Sequence, residues 1–378
     1  MAGTVQGDAA RLSVVVPAFN EADRLAERAA RLEVAAITGA LCPCTTELIV
    51  VDDGSTDATA RRAEELLAAT FPRLRVLRLH DNVGKGAAIR CGMTAATAPV
   101  ALFMDADMSV DPTEIPHLVR AVKSSDVAIG SRSLAESVVV TNGPRRRVMG
   151  WTFNVLVGAL TQIPFRDTQC GFKAFRTPMA RLLFHLMQVQ RFAFDVELLC
   201  LARQLQMDVS EVAVHWREAG ESTVRLLTDP LFMLRDVVDL RRRRDWPPVP
   251  ALALKAAPGE RRRSSSRIVG SVQAALGPLY PLAVTRLDEV TVLLPLCSAQ
   301  QVYDVAASLR GLDHRLTVER HAISFERLTE LAPFSWLDDD DDSPVVASRL
   351  LRGDLETRAP REGWESRRAE RGWNRQTA

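Results

Sequence analysis

No run of about 20 apolar residues occurs in the 378-residue chain, so no membrane-crossing helix is expected. The longest apolar stretch, Val148 to Phe165, is interrupted by Thr152, Asn154, Thr161, Gln162 and Pro164. Met1 to Arg11 lacks the basic and then apolar regions of a secretory leader. An excess of one charge is also missing. Lys and Arg total 48 against 47 Asp and Glu, a formal net charge of +1, which argues against nucleic acid as a partner. Cysteine is sparse: six thiols at irregular spacing, with Cys42-Pro43-Cys44 the one close pair. No second Cys/His pair completes the ligand set of a zinc site, so the thiols read as reduced and mostly structural, as in a cytosolic protein.

What is present fits a globular protein of two domains, or one large α/β domain with an extension. Hydrophobic residues make up 47% and charged residues 25%, as in ordinary soluble folds. The balanced charge is nevertheless segregated. Arg241 to Arg244 and Arg261 to Arg263 are basic runs, and Asp338 to Asp342 is an acidic one.

The first 130 or so residues alternate strand and helix signals. Leu12 to Pro17, Glu47 to Val51, Leu74 to Leu79, Val100 to Met104 and Val127 to Gly130 are β-branched or apolar runs typical of strands buried on both faces. Between them, Asn20 to Ala36, Thr56 to Ala69, Gly86 to Ala96 and Ile115 to Val122 carry helical spacing, with Ser55 or Thr56 as the expected cap of the second helix. The alternation predicts a mostly parallel sheet flanked by helices. From about 140 to 220 the pattern is helical, with a strand near Asp208 to Trp216. Leu226 to Arg244 reads as an amphipathic helix. The expected organisation is a large α/β domain over 1–245, a linker over 246–285, a small α+β unit over 286–335 and a disordered tail over 336–378.

Polar residues cluster where the parallel strands end, which is where open α/β sheets bind ligands. Pro17, Asn20 and Glu21 follow the first strand, Asp52 and Asp53 the second, Asp105 and Asp107 the fourth. Two carboxylates at Asp105-x-Asp107 can share a hard divalent cation, Mg²⁺ or Mn²⁺, together with phosphate oxygens. Asp81-Asn82-Val83-Gly84-Lys85-Gly86 opens a helix without the G-x-x-x-x-G-K-[ST] spacing of a Walker loop. Its backbone N–H groups and Lys85 can still meet phosphate.

These segments together resemble the family 2 glycosyltransferases with the GT-A fold, most of all their dolichyl-phosphate β-glucosyltransferase branch. The resemblance rests, in order, on SVVVPAFNEADRL, ELIVVDDGSTDAT, DNVGKGAAIRCGM, ALFMDADMSVDP, AIGSR, DTQCGFKAF and RFAFDVELL. It implies the nucleotide-diphospho-sugar transferase fold and an inverting transfer of a hexose, above all glucose from UDP-glucose, to a polyprenyl or dolichyl phosphate. By the same resemblance Pro17, Asn20 and Glu21 line the nucleotide pocket and Asp53 holds the base or ribose. Lys85 and Asp105 face the phosphates, and Asp105 and Asp107 hold the metal. Asp107, Arg132 and Asp195 are the implied catalytic residues. Arg132, Gln169, Lys173 and Glu197 are the implied acceptor and sugar ligands, with Arg145 to Arg147 as further candidates for the acceptor phosphate. Related mannosyl enzymes often carry Gln where this chain has Ser109, two residues after the second Asp.

A lipid monophosphate is already anionic near neutrality, its second pKa being about 6, so it can attack without a strong protein base. Arg145 to Arg147 precede Val148, Trp151, Phe153, Leu156 and Leu160, a basic and aromatic-bearing apolar helix suited to a membrane interface. The Leu226 to Arg244 helix adds Leu231, Phe232, Met233, Leu234 and the arginine cluster. The expectation is peripheral attachment to the cytoplasmic face of a membrane, the competing reading of each helix being core packing. Other donors (GDP-mannose, UDP-N-acetylglucosamine), a non-polyprenyl acceptor, or a non-catalytic nucleotide-sugar-binding protein are the alternative functions.

Overall fold

In the computed structural model, the described residues are 9–140, 156–218, 229–243, 245–256, 268–270, 272, 276, 280–286, 289–312 and 316–332. They fall within Met1–Asp338, one of two units of the chain; the other, Asp339–Ala378, and with it most of the expected tail, lies outside the described residues.

The amino-terminal strands form where the β-branched runs predict them: β1 Leu12–Ala18, β2 Thr46–Asp52, β3 Leu74–Arg78, β4 Val100–Met104 and β5 Val127–Ser131. A short β6 Val138–Val140 follows, then β7 Phe172–Arg176, β8 Val209–Ala213 and β9 His215–Arg217. The main sheet has the order β3-β2-β1-β4-β7-β5-β8. All its pairs are parallel except the two made by β7, which runs antiparallel between β4 and β5. β6 and β9 form a separate two-stranded ribbon. Strand β7 lies inside the stretch expected to be helical. Its sequence, FKAFR, hides a buried strand because it carries two basic residues; Lys173 is nevertheless completely buried.

Helices α1 Leu25–Ile37, α2 Thr59–Leu67, α3 Lys85–Ala95, α4 Ile115–Val122, α5 Thr177–Leu186 and α6 Phe194–Gln204 cover the sheet. Side chains alternate along each strand, so β1 feeds two cores. Val15 joins Ile49, Val51 and Phe103 under α3, α5 and α6, while Val14 and Val16 join Leu48, Val50 and Leu102 under α1, α2 and α4. Phe103 stacks on Phe175 at 5.9 Å between centroids and meets Phe184 and Phe194 at 6.5 and 5.7 Å.

Helix α7, Asp229–Arg242, lies inside the predicted Leu226 to Arg244 helix. Val237 and Leu240 are buried in the core, and Met233 packs against it. This 4- and 3-residue spacing puts one stripe of the helix on the protein, which is the core-packing alternative for these three residues. The side chains of Leu231, Phe232 and Leu234, and the basic segment 145–155, lie outside the described residues.

The range 246–285, expected as a linker, holds two strands, β10 Val249–Ala256 and β11 Leu282–Arg286. With β12 Glu289–Leu293 and β13 Leu316–Ile323 they form an antiparallel sheet of order β11-β12-β10-β13. Strand β10 is central, and its Ala-rich sequence VPALALKA carries weak strand propensity, with burial supplying what propensity lacks. Helical residues at 268–270 lie between β10 and β11, and α8 Ala299–Leu312 lies between β12 and β13. The unit is therefore a β-α-β-β-α-β arrangement whose first half falls before residue 286. It is followed by α9 Phe325–Leu331. Trp246 meets Phe325 at 5.3 Å, and His185 of α5 donates from Nε2 to the Pro248 carbonyl and accepts at Nδ1 from the Leu296 N–H. Burial holds His185 below its ordinary pKa, as this neutral, two-sided role requires.

Gly92 tests the α3–β1 contact. A Cβ there would sit 2.3 Å from Val15 Cγ1 and 2.9 Å from Val51 Cγ2. Gly→Ala inside a helix ordinarily gains roughly 0.5–1 kcal/mol, but overpacking costs about 1–3 kcal/mol. Gly92→Ala is expected to lower the unfolding free energy measured by denaturant titration by a net of about 1–2 kcal/mol, with a lower midpoint; a raised midpoint would show that the contact is loose.

Candidate active site

The strand order brings the carboxyl ends of β1, β2 and β4 and the amino end of β7 to one edge. Met104 pairs with Phe172, so Asp105 stands beside Gly171, and its N–H donates to the Gly171 carbonyl at 3.1 Å. The Asp105 carboxylate lies directly over Gly171: a Cβ there would be 2.2 Å from Oδ2. Lys85, the first residue of α3, brings Nζ to 2.6 Å from Asp105 Oδ1. Burial opposes the Lys85 charge, but Asp105, Asp195 and Asp107 outweigh it and hold the ammonium above its ordinary pKa.

The loop before Lys85 is fastened on both sides. Buried Asp53 accepts from the N–H groups of Val83 and Gly84 at 3.0 and 2.9 Å and from Asn82 Nδ2 at 3.0 Å. The carboxylate expected to hold a base or ribose is thus engaged in shaping the 82–84 loop. Gly84 has φ +124°, and a Cβ there would meet the Gln190 carbonyl oxygen at 2.7 Å. That same carbonyl accepts from Ala87 N at 3.0 Å. The segment around Gln190 is held in turn by Glu197, which is fully buried. Its carboxylate accepts from Gln188 N (3.1 Å), Val189 N (2.7 Å) and Arg243 Nη1 (3.1 Å). Glu197, expected as a sugar ligand, instead supports the loop that backs Gly84.

At the β1 end, Pro17 is buried in the strand. Asn20 takes a left-handed conformation at φ 51°. Its N–H donates to Ser55 Oγ and its Oδ1 accepts from Thr56 N, while Glu21 N donates to Thr59 Oγ1. Ser55 therefore ties two loops together rather than capping α2, whose N-cap is Ala58. Glu21 faces Arg24 at 3.6 Å, its other oxygen has no hydrogen-bond partner, and burial raises its pKa.

Asp107 Oδ1 accepts from Ser109 N at 2.9 Å, and Arg28 donates to the Asp107 carbonyl at 2.7 Å. Burial and then the neighbouring Asp105 charge push the Asp107 carboxyl up. A divalent cation between the two would relieve that repulsion, so this donor set fits Mg²⁺ or Mn²⁺. Among the described residues no group of three or more His, Cys, Asp or Glu is assembled for a metal. Two carboxylates leave the remaining coordination to phosphate and water, the usual mode for Mg²⁺.

The remaining expected ligands pair with one another. Lys173 donates to Asp195 Oδ1 and to the Cys170 carbonyl, both at 2.6 Å. Neither partner is open to an acceptor: Lys173 is completely buried and Asp195 nearly so. Arg132 grips buried Asp167 through Nε at 2.6 Å and Nη2 at 2.9 Å, and its backbone N–H adds a third bond. Its guanidinium also lies 5.7 Å from the Trp216 ring centre. Despite burial, Arg132 holds Asp167 down to about 2. The Gln169 N–H donates to Asp167 Oδ1 at 3.2 Å. Asp167, Gly171 and Arg28 were not singled out from sequence. Asp167 and Gly171 entered only as members of the DTQCGFKAF segment.

The profile of "Glycosyl transferase family 2" matches residues 13–183. A dolichyl-phosphate beta-glucosyltransferase of Drosophila melanogaster is 40% identical over 239 residues, 60% of this chain and 73% of that protein. One from Trichomonas vaginalis is 37% identical over 223 residues, 56% of this chain and 65% of that protein, so the chain spans just under two thirds of its length. The human dolichyl-phosphate beta-glucosyltransferase is 34% identical over 246 residues, 62% of this chain and 75% of that protein. Among solved structures, Mycobacterium tuberculosis glucosyl-3-phosphoglycerate synthase with Mn²⁺ and UDP aligns at 20% identity and TM-score 0.45, covering 61% of this chain and 78% of that one.

The Arg132–Asp167 pair carries a stability prediction. Breaking a buried ion pair by removing one partner costs about 3–5 kcal/mol, so Asp167→Asn is expected to destabilise the fold by that order in urea titrations near neutral pH. Because the folded pKa of Asp167 is depressed to about 2, its contribution is present above the unfolded value of about 3.9 and fades as pH falls toward 2. Wild type and Asp167→Asn should therefore converge in stability on acidification; a gap that stays constant down to pH 2 would assign the effect to packing.

Proposed function

The chain belongs to glycosyl transferase family 2, and we propose that it transfers glucose, with inversion, from UDP-glucose to a dolichyl or other polyprenyl phosphate. The observation that carries this reading is the meeting of Lys85, at the start of α3, with Asp105 and Asp107 at one strand end. A helix N-terminus with a lysine suits the phosphates of a nucleotide. Two adjacent carboxylates suit the cation that accompanies them. The 33–40% identity to proteins named for transfer to dolichyl phosphate supports the substrate pair.

In this mechanism the donor diphosphate lies against Lys85 and the amino end of α3, with the loop held open for it by Asp53. Mg²⁺ or Mn²⁺ bound by Asp105 and Asp107 would offset charge on the leaving diphosphate. Lys85 adds its own positive charge where that negative charge develops. The acceptor phosphate attacks the anomeric carbon from the opposite face, so an α-linked donor yields a β-linked product. No protein base is required, in keeping with the state of the site's acids. Asp195 is bound to Lys173, and Glu197 to backbone N–H groups and Arg243. Arg132, with Nε and Nη2 committed to Asp167, offers Nη1 to the acceptor phosphate. Glu21 and Asn20 complete the nucleotide side.

No helix among the described residues is long and apolar enough to cross a membrane. The lipid acceptor is met in this reading by peripheral attachment, through the basic segment 145–155 and the arginine-rich end of α7, from the cytoplasmic face.

Incubation with radiolabelled UDP-glucose, polyprenyl phosphate and Mg²⁺ or Mn²⁺ should give lipid-linked glucose, with GDP-mannose and UDP-N-acetylglucosamine poor donors. Asp107→Asn and Lys85→Met should each lower turnover by roughly 10²–10³-fold while leaving the circular dichroism unchanged. Full activity in Asp107→Asn would remove the metal assignment. Transfer only to a soluble acceptor would remove the lipid one.

A further inference from the structure

Cys42 and Cys44 differ from every other thiol of the chain. Both are exposed, whereas Cys170 is buried and Cys91, Cys200 and Cys297 are partly covered. Their sulfurs approach to 3.0 Å. Pro43 between them locks one backbone torsion, and the turn is pinned at each end. Leu41, almost fully buried, donates its N–H to the Ala35 carbonyl. Thr45 N–H donates to the Cys42 carbonyl, and the Thr45 carbonyl accepts from Arg11 and Leu12. Arg73 Nε donates to the Cys44 carbonyl. The two side chains are thus held together by a frame that neither of them builds.

The four other thiols sit above their ordinary pKa because burial disfavours the thiolate, Cys170 and Cys200 being pushed up to about 12. Cys42 is the opposite case. Hydrogen bonds from the Thr45 side chain, the Cys44 thiol and the Thr45 backbone bring it down to about 7. The lowering favours the thiolate, the nucleophilic form, and a second thiol lies in contact.

We propose that Cys42-Pro43-Cys44 is a reversible dithiol–disulfide centre that reacts with small-molecule disulfides of the glutathione class, Cys42 attacking and Cys44 resolving. The Cys42 thiolate attacks one sulfur of the disulfide RSSR and forms a mixed disulfide. The departing thiolate takes a proton and leaves as RSH. Cys44 then gives up its proton and attacks the Cys42 sulfur, closing the intramolecular disulfide and releasing the second RSH. Two protein thiols lose two electrons and two hydrogens in total, and RSSR becomes two RSH. Closing from 3.0 Å to the bonded distance of about 2.05 Å needs a shift of about 1 Å. An exposed disulfide in so small a ring is of the readily reduced kind, which makes the couple responsive rather than permanent. The turn lies at the amino end of β2, a seven-residue strand whose other end carries Asp52. At about 3.3 Å per residue that places it roughly 20 Å from the phosphate loop. The centre is therefore a modification site separate from the sugar-transfer site.

The test equilibrates the full chain at pH 7 with glutathione at graded ratios of disulfide to thiol, blocks free thiols in acid, and reads peptide masses. In wild type the 42–44 peptide should become two hydrogens lighter, fully reversed by excess glutathione, while Cys91, Cys170, Cys200 and Cys297 are recovered alkylated. Cys44→Ser should stop at a glutathione adduct on Cys42. Cys42→Ser should react at Cys44 at least about tenfold more slowly. Wild type that accumulates only glutathione adducts, or equal reaction rates in the two single variants, would overturn the proposal.

Discussion

The contact between Lys85 and Asp105 depends on a missing side chain. Asp105 can lie where it does because Gly171 leaves the space over β7 empty, and any Cβ would enter the carboxylate itself. Lys85 reaches it because Gly84, in a conformation that side chains disfavour, turns the chain into α3. The rest of the edge can be followed outward from this pair. Asp53 and the Gln190 carbonyl fix the loop from two sides, and Glu197 fixes Gln190. Asp107 then stands next to an already occupied negative site, which is why its own charge is held at a cost.

Charges at this edge alternate in sign through the structure. Lys85 sits among Asp105, Asp107 and Asp195; Lys173 sits on Asp195; Arg132 sits on Asp167. Buried ions are expensive unless paired, and here each buried cation has a carboxylate. The consequence is a preorganised field at the point where a diphosphate would leave, with little reorganisation needed during reaction. In the proposed transfer such a site would work by position and charge rather than by proton transfer.

The parallel strands and the strand-end acids were legible because each is a local pattern: β-branched runs in β1, β2 and β4, and carboxylates directly after them. Strand β7 was not, because Lys173 looks like a surface residue until Asp195, 22 positions away, neutralises it. Strand β10 was hidden by its alanines and by the proline-rich stretch before it; only its pairing with β12 and β13 defines it. The supporting contacts of two expected site residues were hidden in the same way. Asp53 and Glu197 have the residue types of ligands, yet their partners are backbone N–H groups brought by folding from 30 residues away for Asp53 and 8 to 9 for Glu197. Neither is visible in spacing. The six thiols looked alike as a count, and exposure together with one 3.0 Å approach separates two of them.

In the proposed function Asp105 and Asp107 hold a divalent cation jointly with a nucleotide diphosphate placed by Lys85. Linked binding measures this directly, since a shared site makes each ligand tighten the other by the same factor. Titration of Mn²⁺ followed by its paramagnetic resonance, with and without UDP, should show UDP strengthening Mn²⁺ binding by roughly tenfold or more, an effect lost in Asp107→Asn. Equal Mn²⁺ affinity in the presence and absence of UDP would show that the two ligands do not share this site.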